Sequence, residues 1–253
     1  MAAESANRPG LPVVETYDYS LFGEVEVRHL NKIRRVIARR LHASWVNVPM
    51  VVQFDEADIT DLESLRASLK PRAEAAGIRL TLLAFIVKAC ILGLKAFPEF
   101  NASLDASGEN LVLKKYYNVG FATDTPNGLI APVIKDADKK GLFDIAAAIA
   151  ALADKARSGR LAFSETEGGC FSVTNLGQLG GTGFTPTINA PEVAVLGIGR
   201  AARKMVEVDG KFVVRLMLPL TLAYDHRVID GAVAVGFMAT VIDLLENPAH
   251  LSL

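Results

Sequence analysis

The final third of this chain is strand after strand, and that run limits the fold more than any other feature. CFSVT (170 to 174), EVAVLGIG (192 to 199), KMVEV (204 to 208), KFVVRL (211 to 216) and LPLTLAY (218 to 224) are rich in β-branched and aromatic residues. Asp209 and Gly210 make a tight two-residue turn inside the run. It stops at LAYDHRVIDGAVA (222 to 234), where strand gives way to a helix from Asp230 to about Glu246.

Upstream, helical spacing predominates. NKIRRVIARRLHASW (31 to 45) places Ile33, Val36, Ile37, Leu41 and Trp45 on one side with arginines between, an amphipathic surface helix capped by Asn31. The β-rich MVVQFDEADI follows. In TDLESLRASLK, Thr60 and Glu63 form the S/T-x-x-E capping pattern, so a second helix starts there and closes around Pro71 and Gly77. LTLLAFIVKACILGLKAF (80 to 97) is long and apolar, but Lys88 and Lys95 interrupt it, which makes it a buried helix and not a membrane span. YYNVGFAT and LIAPVIK read as strands joined by the turn-forming DTPNG, and LFDIAAAIAALADKARS as a helix stopped by Gly159. With no repeat and no low-complexity linker after residue 14, one domain is expected from 15 to 253.

Composition narrows the function. At 253 residues, 51% of them apolar, the chain can bury a substantial core. A formal net charge of −1 gives no summed basic field for nucleic acid or an anionic membrane. Cys90 and Cys170 lack metal-ligand spacing and suit a reducing compartment, so a cytoplasmic protein with no metal site is expected. MAAESANRPGLP lacks the basic-then-apolar profile of a secretory signal, and residues 1 to 14 read as a linker remnant.

His226 stands where a strand stops and a helix begins, so its imidazole can project from a rigid end into a cleft. Imidazole titrates near neutrality and can relay the proton of a thiol or hydroxyl, worth roughly 10² to 10⁴ in rate. Asp230, four residues on, can cap the helix and order the histidine loop, and Gly231 lets the backbone pack there. The same residues also fit a plain helix start, with Asp230 as the N-cap and His226 facing water. His29, which adjoins a strand, His42 and His250 read as structural.

FSVTNLGQLGGTGFTP (171 to 186) is a second polar element, a strand opening into a loop with Gly177, Gly180, Gly181 and Gly183. Such a loop permits close approach to a ligand. Ser172 and Thr174 point to one side of the strand, and if that side faces His226 one hydroxyl could bond a developing oxyanion, worth roughly 10² to 10³. A polar strand face with a flexible hairpin is the plainer reading of the local sequence. Three other patterns carry less. Gly197, Gly199 and Ala202 mimic a dinucleotide fingerprint, but a hairpin follows where a helix is required. Asp154-Lys155-Ala156 has the form of a lipoyl-attachment site yet lies inside a helical pattern. Cys170 is a minor rival as nucleophile.

The motif DHRVIDGA closely resembles the H-x-x-x-D-G signature of dihydrolipoamide acyltransferases, the core subunits of 2-oxo acid dehydrogenase complexes, and of the related chloramphenicol acetyltransferases. GFATDTPNGLIAPVIKDADKKGL, FSVTNLGQLGGTGFTPTINAPEVAVLGIG and RLMLPLTLAYDHRVIDG extend the resemblance from about Tyr17 to Leu253. Within the family, SWVNVPMVVQFDEADITDLESLR is most similar to the acetyl-transferring members of pyruvate dehydrogenase complexes.

The resemblance implies an α/β fold of the chloramphenicol acetyltransferase type, a mixed sheet with packed helices and an active site at the subunit interface of a trimer. It implies cubic assembly of trimers into a 24-subunit core, pyruvate dehydrogenase and dihydrolipoamide dehydrogenase as partners of the full-length protein, and a lipoyl group carried on a domain absent from this chain. Acetyl would pass from dihydrolipoamide to coenzyme A, with His226 as base, a Thr174 hydroxyl from the adjacent subunit on the oxyanion, where many relatives have serine, and Asp230 ordering the loop. Asp124 matches a family acid near the coenzyme A channel, with Arg66 as its partner, and the apolar Leu253 would dock across the two-fold between trimers. A succinyl or branched-chain acyltransferase, a small-alcohol acetyltransferase of the same fold and an idle assembly scaffold are the alternatives.

Overall fold

A computed structural model of the chain describes residues 16–126, 128–177 and 180–251. Residues up to Asn31 and residues from Lys32 onward are separate compact units. In the first, Asp18 caps a single 3-10 turn, its carboxylate accepting the Ser20 N–H at 3.1 Å. No strand forms beside His29 among the described residues: the alternating stretch before it makes no ladder.

In the second unit, helix α1 (Lys32–Asn47) leads to strand β1 (Met50–Asp58) and helix α2 (Thr60–Ala75). Helix α3 (Leu82–Ala96) is followed by a small hairpin of β2 (Ala102–Leu104) and β3 (Leu111–Leu113), which the sequence pattern did not reveal. Strands β4 (Val119–Phe121) and β5 (Val133–Ile134) precede helix α4 (Leu142–Arg157). Strands β6 (Phe171–Asn175), β7 (Ala194–Ile198), β8 (Ala202–Val208) and β9 (Lys211–Asp225) then lead into helix α5 (Gly231–Glu246).

The main sheet runs β1-β9-β7-β6-β4-β5, with β8 along the first half of β9. Strands β4, β6 and β7 are mutually parallel, and the remaining pairs are antiparallel. Asp209 and Gly210 take φ of 51° and 75°, the double positive turn that matches strand twist. KFVVRL and LPLTLAY are one strand of 15 residues. Pro219 does not break it, because its carbonyl still accepts the Gly199 N–H at 2.9 Å and the ladder to β1 continues on both sides.

Alternation along β9 sorts the two faces. Leu218, Leu220, Leu222 and Tyr224 join the main core beneath α2 to α5. Helix α3 is all but submerged there, and Gly93 lets α5 come close: a Cβ at that position would stand 2.9 Å from the Phe237 ring. Phe237 stacks on Phe100 with centroids 4.0 Å apart. The two lysines of α3 find polar exits, Lys88 donating to the Lys140 carbonyl at 3.1 Å and Lys95 lying 3.8 Å from Asp138. No helix among the described residues is long and apolar enough to cross a membrane. The opposite face is only thinly covered: Ala223 and Val195 make a small cluster with Val48, Ile188, Met50 and Val52. Phe54 on that face is 61% exposed, and so is much of the apolar stripe of α1, with Trp45 at 63%.

Two expectations change, and one falls outside the described residues. The Thr60–Glu63 capping pair does not form, because Asp58 is the nearer acceptor, taking the Thr60 N–H at 3.0 Å and its hydroxyl at 2.6 Å, while Glu63 turns to Arg66. Helix α2 runs through Pro71 to Ala75 and stops before Gly77 at φ 70°. The proline lies on the exposed side, where solvent can meet the freed Ala67 carbonyl. Leu253, the expected inter-trimer anchor, lies outside the described residues.

Candidate functional site

The end of β9 is built to hold a turn rigidly. Asp225, its last residue, is 2% exposed, and its carboxylate accepts the Arg227 backbone N–H at 3.0 Å and the Arg227 guanidinium at 2.6 Å. Its carbonyl accepts the N–H groups of Val228 and Ile229, both at 3.0 Å. His226 lies between these anchors. Its own N–H donates to the Pro49 carbonyl at 3.1 Å, tying the turn to the approach of β1. Its side chain is exposed, with the ring centroid 5.9 Å from that of Tyr224. Charge-assisted bonds such as the Asp225–Arg227 pair are roughly twice as strong as neutral ones. The imidazole therefore projects from a fixed backbone into open space.

Asp230 is the N-cap of α5, its Oδ1 accepting the Val233 N–H at 2.9 Å. That bond fixes the start of α5, and among the described residues Asp230 makes no hydrogen bond or ion pair with His226. Gly231 is not demanded by packing, since a Cβ there would meet nothing closer than the Tyr224 hydroxyl at 3.9 Å.

Ser172 and Thr174 do share one side of β6, the thinly covered face, while Phe171 and Val173 enter the main core. Thr174 is half-buried and level with Gly197, which is level with Thr221. Thr221 lies five residues short of His226 along β9, so Thr174 is set well back from the histidine within the chain. The glycine loop after β6 is laid on the sheet: a Cβ at Gly177 would stand 2.5 Å from the Gly199 carbonyl oxygen, and one at Gly197 3.0 Å from the Phe184 ring. At Gly177 and Gly197 the close approach is to the protein's own backbone and rings, whereas a Cβ at Gly180 or Gly181 would meet nothing within 4 Å.

Asp124 is exposed in its turn, whose Gly128 lies against Ile37 of α1. Arg66 is elsewhere engaged, 2.5 Å from Glu63 and donating to the Leu80 carbonyl at 3.2 Å, so the expected Asp124–Arg66 pair does not form within the chain. Cys170 is buried, its thiol donates to the Tyr116 carbonyl at 3.3 Å, and burial pushes its pKa up, which leaves it a poor nucleophile. Lys155 sits within α4 and pairs with Glu165 at 2.6 Å. Among the described residues no group of three or more His, Cys, Asp or Glu side chains could hold a metal ion.

Sequence reading missed a cavity of about 170 Å³ lined by Ser44, Trp45, Val48, Met50, Thr187 and Ile188. Met50 is the register partner of Asp225, so the cavity adjoins the histidine turn. The apolar SWVNVPM run was its available signal, but nothing local showed that residues 187 and 188 would close the other wall.

The chain is similar to a protein family described as 2-oxoacid dehydrogenases acyltransferase (catalytic domain), whose sequence model matches residues 22–253. It is 54% identical over 231 residues to the dihydrolipoyllysine-residue acetyltransferase component of pyruvate dehydrogenase complex from Cupriavidus necator, covering 91% of this chain and 41% of that one. It thus spans about two fifths of the length of three of the curated relatives it matches. Among solved structures, the dihydrolipoamide acetyltransferase of Azotobacter vinelandii superposes with a TM-score of 0.93 at 48% identity, over 96% of this chain and 100% of that one. That structure accompanied a study of a serine, a histidine and an asparagine in the catalytic mechanism. The cubic core of the pyruvate dehydrogenase multienzyme complex matches with the same score and coverage. A chloramphenicol acetyltransferase superposes with a TM-score of 0.52 at 19% identity, over 82% of this chain and 94% of that one, a likeness of fold.

Proposed function

This chain belongs to the 2-oxoacid dehydrogenase acyltransferase family, and on that premise we propose that it transfers an acetyl group between dihydrolipoamide and coenzyme A. The observation that carries the reading is His226, an exposed imidazole on a turn locked by Asp225, Arg227 and Pro49. The histidine takes the proton of the attacking thiol, whose pKa near 8.5 needs only modest help. The sulfur attacks the thioester carbonyl, and the tetrahedral oxyanion accepts a hydrogen bond from Thr174. Collapse breaks the old carbon–sulfur bond, and the departing thiolate recovers the proton from His226.

Thr174, His226 and Asp230 stand at the sequence intervals that separate the serine, histidine and asparagine studied in the Azotobacter vinelandii enzyme, which supports their roles as oxyanion donor, base and loop anchor. Asparagine caps a helix as well as aspartate does, and threonine keeps the hydroxyl of serine. The Thr174 that serves a given His226 comes from a neighbouring chain in a trimer, and trimers assemble into a 24-subunit cubic core, as the cubic relative supports. Residues 15 to 253 act as one catalytic domain. The lipoyl group rides on a domain outside these residues, pyruvate dehydrogenase and dihydrolipoamide dehydrogenase bind the full-length protein, and the whole works in the cytoplasm. Asp124 and Arg66 serve coenzyme A from separate places.

The test is acetyl transfer from acetyl-CoA to free dihydrolipoamide, parent against His226→Ala. Loss of roughly 10² or more in rate supports the base assignment. Activity with succinyl or branched donors alone overturns the acetyl reading, and a variant equal to the parent overturns the base.

A further inference from the structure

Glu192 heads the segment entering β7 and is 4% exposed. Its Oε1 accepts the Asn189 amide at 3.3 Å. Its Oε2 has no hydrogen-bond partner, and neither has the Ser172 Oγ on β6. Two glycines make room for these oxygens: a Cβ at Gly169 would stand 2.7 Å from Glu192 Oε1, and one at Gly120 would stand 2.8 Å from Ser172 Oγ. The Ser172 hydroxyl is close enough to the carboxyl to favour its charged form, although neither orphan oxygen has a hydrogen-bond partner.

The groups around Glu192 leave its charge poorly compensated. Lys114, just past β3, spends its ammonium on the Ala102 carbonyl at 3.1 Å and is pushed down by burial. Cys170 is a buried thiol pushed up. Burial drives the Glu192 carboxyl up to about 7, against the opposing pull of Ser172, Asn189 and Lys114. A neutral carboxyl can donate to Ser172 and satisfy both oxygens without a buried charge.

What Glu192 anchors is a wall of the cavity beside His226. Thr187 and Ile188 line it, the Ala190 N–H donates to Ser44 Oγ at 3.3 Å on the opposite wall, and Ser103 Oγ donates to the Pro191 carbonyl at 2.5 Å. We propose that Glu192 is a positioning residue for acyl transfer: neutral, it holds residues 187–192 against β6, and its ionisation loosens that wall of the cavity. Only the kinetic consequence rests on the acyl-transfer reading.

Glu192→Gln keeps the shape and cannot ionise. A carboxyl raised in the folded chain favours folding at low pH, and that contribution is lost as pH climbs from the ordinary 4.5 through about 7. Chemical denaturation of parent and E192Q between pH 5.5 and 8.5 therefore gives a stability difference that moves toward the variant with rising pH. A constant difference overturns the titration. Trp45, the single tryptophan of the sequence, lines the cavity and reports the wall without any transfer assay. Its emission changes with a midpoint near 7 in the parent and stays flat in E192Q; identical profiles overturn the positioning role. With acetyl transfer measured, the KM for free dihydrolipoamide rises several-fold above neutrality in the parent and not in E192Q, while kcat keeps one pH profile in both. Parallel KM profiles overturn the kinetic consequence. Absence of transfer in both chains would strike the acetyl reading and leave the emission and denaturation results to decide Glu192.

Discussion

Thr174 on β6 and His226, one residue past the end of β9, cannot meet within one chain. Thr174 is level with Gly197 and Thr221, five residues short of His226. Two strand spacings of about 4.8 Å and five residues of about 3.4 Å put them roughly 20 Å apart, far beyond the reach of one tetrahedral centre. A site using both has to be completed by a second copy. Co-assembled His226→Ala and Thr174→Val chains, each nearly inactive alone, should then regain about a quarter of parental activity at equal mixing, the share of random cyclic interfaces with both residues intact. Mixtures as inactive as their components refute the shared site.

Asp230 acts through the start of α5. Asp230→Ala should cost about 1 kcal/mol of stability, and Asp230→Asn a few tenths at most. Urea denaturation ranks the two. Loss of transfer out of proportion to stability in Asp230→Asn would show that the carboxylate charge itself serves His226.

Gly93 sets the distance between α3 and α5. Gly93→Ala drives a methyl to 2.9 Å from the Phe237 ring, and that ring is already stacked at 4.0 Å on Phe100. Overpacking of this kind costs about 1–3 kcal/mol, enough to override the better helix propensity of alanine. A thermal midpoint at or above the parental one contradicts the packing described.

Asp58 gives stability the opposite pH slope from Glu192. Burial pushes its carboxyl up, but bonds from Thr60 and Arg215 outweigh that and hold it below the ordinary 3.8. The stabilisation is complete above that value and is lost as pH falls through the lower folded pKa. Asp58→Asn should flatten the acid limb of the stability curve below about pH 4 and lower the neutral plateau. An unchanged acid limb would remove Asp58 from the account.

Much of this arrangement was legible in the sequence, wherever the signal was local. The strands of the last third, the Asp209–Gly210 turn, the start of α5 at Asp230 and the emergence of His226 at a strand end all follow from short-range chemistry. The three-residue β2 and β3 lack length for a periodic pattern. Thr60 lost its capping role to Asp58, two residues outside the motif. Arg66 chose Glu63, three residues away on its own helix, over Asp124, fifty-eight positions distant. The cavity joins residues 44 to 50 with 187 and 188, and that pairing is a property of topology, which no local pattern encodes.

Strand β7 is flanked by β6 and β9 and buried along its whole length. Its amides have no route to solvent by fraying, so their deuterium uptake should wait for the entire sheet to open. Bond by bond, those five residues time the global opening of the unit. The His226 turn at the end of β9 and the Thr174 row on β6 border them on either side, so the proposed chemistry is mounted beside the part of the unit expected to exchange slowest.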